Sequence, residues 1–301
     1  DPFKLQDLVG KKVILLDIMT YSCINCQRTF PYAVSWYEKY KDEGLEIVGI
    51  HTPEFAFEKD INNVRKAMQE FGITFPVVLD NDYSTWRAYK NNYWPRKYLI
   101  DIHGNIVYDH IGEGAYAETE LKIQELLAER AKVLGESEAS MPPLSDITPV
   151  KVEAGSPETY FGASRNEFLG NGKQGIVGVQ NFSAPTEYSR NTLYFDGAWD
   201  VRSEYSSNIE SGGRIFFRFL SSKVYFVASA QNSVRAEIKV DGRSLTRAEA
   251  GEDIVFEGER SFVTVSESRL YKLFARPSAE EHLLEIIPQA SGLEAYTFTF
   301  G

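Results

Sequence analysis

Only two cysteines occur in this 301-residue sequence, and two residues separate Cys23 from Cys26. They follow an apolar run at 13–16, which has the character of a buried strand, and they precede a helical pattern. A bridge across so small a loop removes little entropy from the unfolded chain, so structural stapling is a poor explanation for the pair. The spacing therefore predicts redox chemistry at a junction between a strand and a helix.

The position of each cysteine predicts its task. Cys23 would lie at the N-terminus of the helix, where unpaired N–H groups and the positive end of the helix dipole favour a thiolate. Cys26 would follow one turn later, close enough for the two sulfurs to bond. We expect Cys23 to attack a disulfide and Cys26 to resolve the mixed disulfide, so that the Cys23–Cys26 disulfide serves in place of a cofactor.

Composition and motif content exclude several other classes of function. A zinc site would need a second CxxC motif or histidines at ligand spacing, and the four histidines are scattered, so we predict no metal site. The net charge of -11 argues against nucleic acid and anionic membranes as partners. No apolar run approaches the length of about 20 residues that a membrane-spanning helix needs.

Strands and helices alternate through the first half of the chain, which predicts an α/β domain over residues 1–135 with a mixed central sheet and flanking helices. Gly135 would end its last helix. The predicted strands are 13–18, 45–50, 76–80, 97–101 and 105–108, and the predicted helices run from the cysteines to about residue 40, over 61–71, near 84–90 and up to 134.

The second half has a different periodicity. Residues 136–149 are polar and contain several prolines, which predicts a linker. Beyond them, apolar and polar residues alternate, most clearly over Val234–Val240. Ten or so short strands, among them 214–220 and 224–229, predict an all-β jelly roll or β-sandwich over residues 150–301. No catalytic constellation stands out in this half.

Three motifs carry a resemblance to a known family: YSCINC at 21–26, HTPE at 51–54, and YWP at 93–95 followed by YLID. The first domain resembles the TlpA/ResA type of thioredoxin fold. More narrowly, the motifs resemble the C-terminal region of DipZ-type proteins, in which a CcdA-like membrane electron-transfer unit is fused to a thioredoxin-like domain with a β-sandwich after it.

The resemblance implies roles for residues around the cysteines. Asp17 matches the buried carboxylate beneath the disulfide and would take the proton of the resolving thiol. Glu54 falls where ResA-like reductases carry an acid, although it also fits an exposed loop. Pro95 matches the cis-proline beside the active site, and Trp94 and Tyr21 would contribute to the substrate-binding surface.

For the second domain, the resemblance implies a galactose-binding-like fold related to carbohydrate-binding modules. A carbohydrate ligand would require exposed aromatic faces for stacking. Four residues are candidates for this role: Tyr160, Phe161, Trp199 and Tyr205.

We therefore predict an extracytoplasmic thiol–disulfide oxidoreductase that is tethered to a membrane in the full-length protein. It would reduce protein disulfides with electrons from a CcdA-like partner or fused domain. Three alternatives stay open: a DsbA-like oxidase, since direction follows reduction potential; a thiol peroxidase, since Thr20 stands three residues before Cys23 although Leu16 replaces the motif's proline; and a glycan- or protein-binding module with a redox-inert first domain.

Overall fold

The computed structural model describes residues 4–137 and 141–301. The chain forms two compact units, Asp1–Val150 and Lys151–Gly301. Each unit has a core of buried apolar side chains of its own.

The first unit is a mixed five-stranded sheet with flanking helices. Its elements are β1 (Val13–Met19), α1 (Ile24–Tyr40), β2 (Leu45–His51), α2 (Ile61–Glu70), β3 (Val77–Leu79), α3 (Ser84–Ala88), β4 (Arg96–Ile100), β5 (Ile106–Ile111) and α4 (Tyr116–Leu134), with short 3-10 helices at Leu5–Asp7 and Ala56–Lys59. The strand order is β3-β2-β1-β4-β5. The first three strands are parallel, and β4 and β5 form the antiparallel edge. This arrangement confirms the predicted α/β thioredoxin-like fold.

Strand β1 is buried on both faces, which explains its continuous apolar sequence. Val13 and Leu15 pack with Trp36 of α1 and with α4 on one face. The intervening residues, Ile14 among them, pack against β2 and β4 side chains on the other face. Because side chains alternate along a strand, Asp17 points to the same face as Leu15, towards the helices α1 and α4.

Helix α4 ends where the sequence predicts. Gly135 follows its last residue with φ +66°, and its N–H donates to carbonyl oxygens of the last turn. A glycine adopts this left-handed conformation without the steric cost that a side chain would bring.

Part of the predicted linker is bound to the first unit. Residues 138–140 of it lie outside the described residues, but Met141 and Ile147 pack against the core. The buried Glu120 carboxylate accepts hydrogen bonds from the Ser145 backbone and from three side chains of α1, Trp36, Lys39 and Tyr40. These contacts distinguish residues 141–147 from the solvated linker that their composition suggests.

The second unit is all-β. Its strands are β6 (Thr159–Tyr160), β7 (Gly178–Phe182), β8 (Leu193–Val201), β9 (Ser206–Asn208), β10 (Arg214–Ala230), β11 (Val234–Val240), β12 (Arg243–Ser244), β13 (Val255–Glu257), β14 (Arg260–Val265), β15 (Arg269–Pro288) and β16 (Leu293–Phe300). They form one hydrogen-bonded network whose strand pairs are antiparallel. The all-β character of this half is confirmed.

Strand β10 is much longer than the sequence predicts. The segments 214–220 and 224–229 form the single 17-residue strand β10. Its first part pairs with β8 and its second part with β16, and an irregularity between Ser221 and Lys223 marks the change. Phe217 and Phe226, on either side of this bulge, reach the same core. A bulge interrupts the apolar alternation without ending the strand. The sequence pattern of such a strand therefore resembles that of two short strands joined by a turn.

Candidate active site

The CxxC motif lies at the junction of β1 and α1, as predicted. Cys23 is the residue that caps the N-terminus of α1, with extended backbone angles (φ -80°, ψ 122°). Its side chain is partly exposed, whereas Cys26 is buried, and both are thiols in this structure. The Cys23 Sγ atom lies 3.9 Å from the backbone oxygen of Trp94. One sulfur can therefore meet a partner while the other is sheltered behind it.

The buried Cys26 thiol is a weak acid and loses its proton only when a nearby group accepts it. Burial raises the pKa of Cys26 well above its ordinary value, and the neighbouring Cys23 and Asp17 raise it further. The backbone of Thr20 opposes this rise. Resolution of a mixed disulfide needs the Cys26 thiolate, so a nearby proton acceptor is required.

Asp17 lies on the face of the sheet that α1 covers, and it is 1% exposed. Within the described residues neither carboxylate oxygen has a hydrogen-bond partner. Burial raises the pKa of Asp17 to about 6, and the charge of Lys97 opposes the rise. A carboxyl group with this pKa can accept and release a proton near neutral pH, which suits the role that the resemblance assigned to it.

A second buried carboxylate, Glu58, was not found from the sequence. It accepts hydrogen bonds from the Thr20 and Ser22 hydroxyls and from the backbone N–H groups of Glu54 and Phe55. Burial raises the pKa of Glu58, and these hydrogen bonds oppose the rise. The carboxylate thereby ties the turn that carries Cys23 to the loop after β2. Only tertiary contact reveals it, because Ser22 and Glu58 are 36 residues apart.

Glu54, the acid proposed from the resemblance, lies in the same loop and is partly exposed. Its backbone N–H belongs to the Glu58 network. A catalytic role for the Glu54 side chain stays a prediction, and the fully buried acid of this loop is Glu58.

The loop before β4 brings Trp94 and Pro95 to the cysteines. The Trp94–Pro95 peptide bond is cis. The Trp94 ring packs against Trp86 in a tilted arrangement with centroids 4.2 Å apart, and its Nε1 donates to the Thr52 backbone oxygen at 2.9 Å. These contacts hold a partly exposed aromatic side chain in one orientation beside Cys23, where a role in substrate binding stays a prediction.

Tyr21 does not line an open surface. Its side chain is 3% exposed and packs with Phe30 and Cys26 in a buried cluster, and its ring stacks on His51 at 5.7 Å. Burial raises the pKa of Tyr21 strongly. The predicted substrate-binding role is therefore corrected to a packing role, because neighbouring side chains enclose the ring and keep it from the surface.

Two of the four aromatic residues suggested for carbohydrate binding are likewise core residues. Phe161 and Trp199 are both 0% exposed and belong to the core of the second unit. Tyr160 and Tyr205 are partly exposed. The sequence was interpreted as placing these aromatic residues in loops, whereas Trp199 lies on β8 and Phe161 directly follows β6.

The described part of the chain contains no group of three His, Cys, Asp or Glu residues that could hold a metal ion. Among the helices described, none is long and apolar enough to cross a membrane.

Comparison with known proteins finds a matching family model for each of the two units. Residues 1–124 match the Redoxin family model, and residues 156–301 match the model of the thioredoxin-like C-terminal domain. The chain is 34% identical to the protein DipZ of Mycobacterium tuberculosis over 300 residues, which is all of this chain and 40% of DipZ. The whole chain is thus similar to a part of DipZ. The DipZ of Mycobacterium bovis gives the same identity and coverage.

Other relatives match a smaller share of the chain. The thiol–disulfide oxidoreductase ResA of Bacillus subtilis is 36% identical over 104 residues, which are 35% of this chain and 55% of ResA. A crystal structure of a thioredoxin-family thiol:disulfide interchange protein from Chlorobium tepidum aligns with 42% of this chain and 87% of its own, at 23% identity and a TM-score of 0.37. The family-level prediction, a thioredoxin-like thiol–disulfide oxidoreductase, is confirmed. The chain spans about two fifths of the DipZ relatives it matches.

Proposed function

We propose that this chain reduces protein disulfides through Cys23 and Cys26. The observation that carries the proposal is the asymmetry of the pair: a partly exposed sulfur lies at the start of α1, and a buried sulfur lies one turn later. The Asp17 carboxyl, which has no hydrogen-bond partner among the described residues, lies in the sheet beneath. This arrangement separates attack from resolution, as thiol–disulfide exchange requires.

The reaction would proceed in two exchanges. The Cys23 thiolate attacks one sulfur of a substrate disulfide, which forms a mixed disulfide and releases the other substrate sulfur as a thiolate. Cys26 then gives its proton to Asp17, and its thiolate attacks the Cys23 sulfur. The second substrate sulfur leaves with the electron pair of the broken bond and takes up a proton. The substrate gains two electrons, and the protein ends as the Cys23–Cys26 disulfide.

The position of the Thr20 side chain favours disulfide exchange over peroxidase activity. A peroxidase motif would need the Thr20 hydroxyl to bind peroxide beside Cys23. That side chain is buried, and its hydroxyl donates to Glu58. The reduced protein should therefore consume hydrogen peroxide no faster than an ordinary exposed thiol does.

We further propose that the protein works outside the cytoplasm and receives its electrons from a CcdA-like membrane unit, fused or separate, to which it is tethered. The similarity to DipZ over the full length of this chain, and the fact that DipZ is longer, support this part of the proposal. Co-expression with a CcdA-type protein should keep the cysteine pair reduced in the periplasm of a host, as alkylation of thiols would measure.

Matched cysteine variants test the mechanism. With dithiothreitol as reductant and insulin as substrate, Cys23→Ser should abolish turnover. Cys26→Ser should instead accumulate a mixed disulfide that mass analysis detects, because attack remains while resolution is lost. Full activity of Cys23→Ser would refute the proposal.

The direction of electron flow has its own test. The equilibrium between the dithiol and the disulfide can be titrated against glutathione or dithiothreitol, with alkylation and mass analysis. We expect a potential below roughly -220 mV, in the range of thioredoxin-like reductants. A value near about -120 mV would make the protein a DsbA-like oxidant.

A carbohydrate ligand for the second unit is a separate hypothesis, supported by the partial exposure of Tyr160 and Tyr205. Glycan-array binding that either Tyr→Ala variant abolishes would support it. An array without binding would leave the second unit without this function.

A further inference from the structure

Two of the four tryptophans lie side by side at the surface of the first unit, next to the reactive thiol. Trp36 and Trp199 are fully buried, whereas Trp86 and Trp94 are partly exposed. The Trp86 and Trp94 ring centroids are 4.2 Å apart, and the Cys23 Sγ atom lies 3.9 Å from the Trp94 backbone oxygen. Adjacent exposed apolar side chains, unlike single ones, commonly mark a site of interaction.

Tyr83 extends this surface beyond the two tryptophans. Its ring is partly exposed and meets the Trp86 ring edge-on, with centroids 6.3 Å apart, and its hydroxyl donates to the Pro53 backbone oxygen. The backbone φ of Tyr83 is +59°, a left-handed conformation that is unusual for a bulky residue. Such a conformation persists where the surrounding contacts enforce it, often at functional sites. Tyr83, Trp86 and Trp94 are termed the aromatic shelf below.

The aromatic shelf lies at the carboxyl ends of the parallel strands. Cys23 follows β1, Thr52 comes directly after β2, and Asp80 comes directly after β3. In open α/β sheets, ligands bind in the crevice outside the carboxyl ends of the strands. A substrate disulfide has to reach Cys23 at this edge, so the polypeptide that carries it passes beside the shelf.

A buried carboxylate holds both tryptophans of the shelf in place. Asp80 is 2% exposed, and its Oδ2 accepts hydrogen bonds from the Trp86 backbone N–H at 2.9 Å and from the Thr52 hydroxyl at 3.0 Å. The Thr52 backbone oxygen in turn accepts from the Trp94 Nε1 at 2.9 Å. Because the rings are fixed before a ligand arrives, binding does not have to order them.

The chemistry of the aromatic shelf indicates which side chain it would bind. Its rings offer aromatic contacts, and pairs of aromatic rings attract each other beyond the effect of the area they bury. Asp82 and Arg87, which flank Tyr83 and Trp86 in the sequence, are exposed and carry opposite charges. Because these flanking charges balance, they favour a neutral side chain over a cation.

We propose that the aromatic shelf is a subsite for an aromatic side chain of the substrate, close in sequence to the cysteine that Cys23 attacks. This inference rests on the proposed function. An extended chain advances about 3.3 Å per residue, so a residue about two positions from the attacked cysteine can reach from Trp94 to Trp86. The preferred substrates are therefore polypeptides in which an aromatic residue lies near the disulfide.

Symmetric disulfide-linked dimers of a short peptide test the preference. They carry phenylalanine, lysine or alanine two positions before the cysteine or two positions after it. Mass analysis follows the rate at which the reduced full chain reduces each dimer. In one of the two positions, phenylalanine should react about tenfold faster than alanine, the gain expected from one aromatic contact. A ratio near one in both positions, or lysine that reacts as fast as phenylalanine, would overturn the inference.

A variant of the shelf locates the subsite. Trp86→Ala should bring the ratio of the phenylalanine rate to the alanine rate close to one. The alanine peptide is the internal reference, because a general loss of structure slows both reactions and leaves their ratio unchanged. Ile106→Ala, which removes an exposed apolar side chain from β5, is the matched control and should keep the wild-type ratio. A folded Trp86→Ala protein with the full wild-type ratio would contradict the assignment.

If Trp86→Ala does not fold, Trp86→Leu takes its place. Leucine keeps much of the apolar volume but has no ring, so the ratio should again fall, and an unchanged ratio would count against the shelf. Failure of the proposed function is seen separately: neither insulin nor any peptide dimer would then be reduced. Failure of this inference alone would leave every peptide dimer reduced at the same rate.

Discussion

Replacement of Asp17 by Asn should stabilise the protein at neutral pH. Burial raises the pKa of Asp17 from 3.8 to about 6. The folded state therefore binds this proton more tightly than the unfolded state does. Between about pH 4 and pH 6 the folded chain holds more protons, so its stability falls as pH rises through this window. A difference of about 2 units corresponds to about 3 kcal/mol, all of which is lost above pH 6.

Asparagine does not titrate, so Asp17→Asn should lack this loss. At pH 7 its free energy of unfolding should exceed that of wild type by up to about 3 kcal/mol, and the gain should shrink towards pH 4. The same variant should resolve mixed disulfides slowly at pH 7, because Cys26 loses its proton acceptor. Greater stability combined with slower chemistry is the signature of a buried functional charge.

The measurement is urea unfolding of the reduced full chain from pH 4 to pH 8, followed by tryptophan fluorescence. Three of the four tryptophans, Trp36, Trp86 and Trp94, lie in the first unit. Asp42→Asn, at an exposed position, is the matched control and should follow wild type at every pH. A wild-type stability that rises between pH 4 and pH 6, together with an unstabilised Asp17→Asn, would refute the assignment of a raised pKa.

Three further variants test other parts of the structure. Glu58→Ala should lower the free energy of unfolding by about 3 kcal/mol or more, measured by urea titration, because several buried N–H and O–H donors lose their acceptor; an unchanged midpoint would contradict the network. Glu120→Ala should speed limited proteolysis within 141–150, since Ser145 loses its acceptor, whereas Glu129→Ala on the same helix should not. Gly251→Ala should lower the melting temperature of the second unit but not the insulin-reduction rate, because the added Cβ would lie 2.1 Å from the Lys272 backbone oxygen.

Local sequence was sufficient for the chemistry of the cysteine pair. Spacing alone placed Cys23 at the N-terminus of a helix and Cys26 one turn inside it, because these relations extend over a few residues of continuous backbone. Gly135 could be predicted as a helix end for the same reason. The alternation of strands with helices, and its change to a period of two, likewise indicated an α/β half and an all-β half.

The surroundings of the cysteines were decided only by the tertiary structure. Glu58 reaches Ser22 across 36 residues, and Lys97 faces Asp17 only because β4 pairs with β1 in one register. Only the tertiary structure shows that the Phe161 side chain is buried, unlike those of the partly exposed aromatic residues. Periodicity shows that a strand has two faces, but which face is covered, and by which distant side chain, depends on strand order, register and packing that no local pattern specifies. The reactive thiols could thus be predicted from the sequence. The buried charged groups around them could be identified only from the tertiary structure, which brings distant strands and loops together.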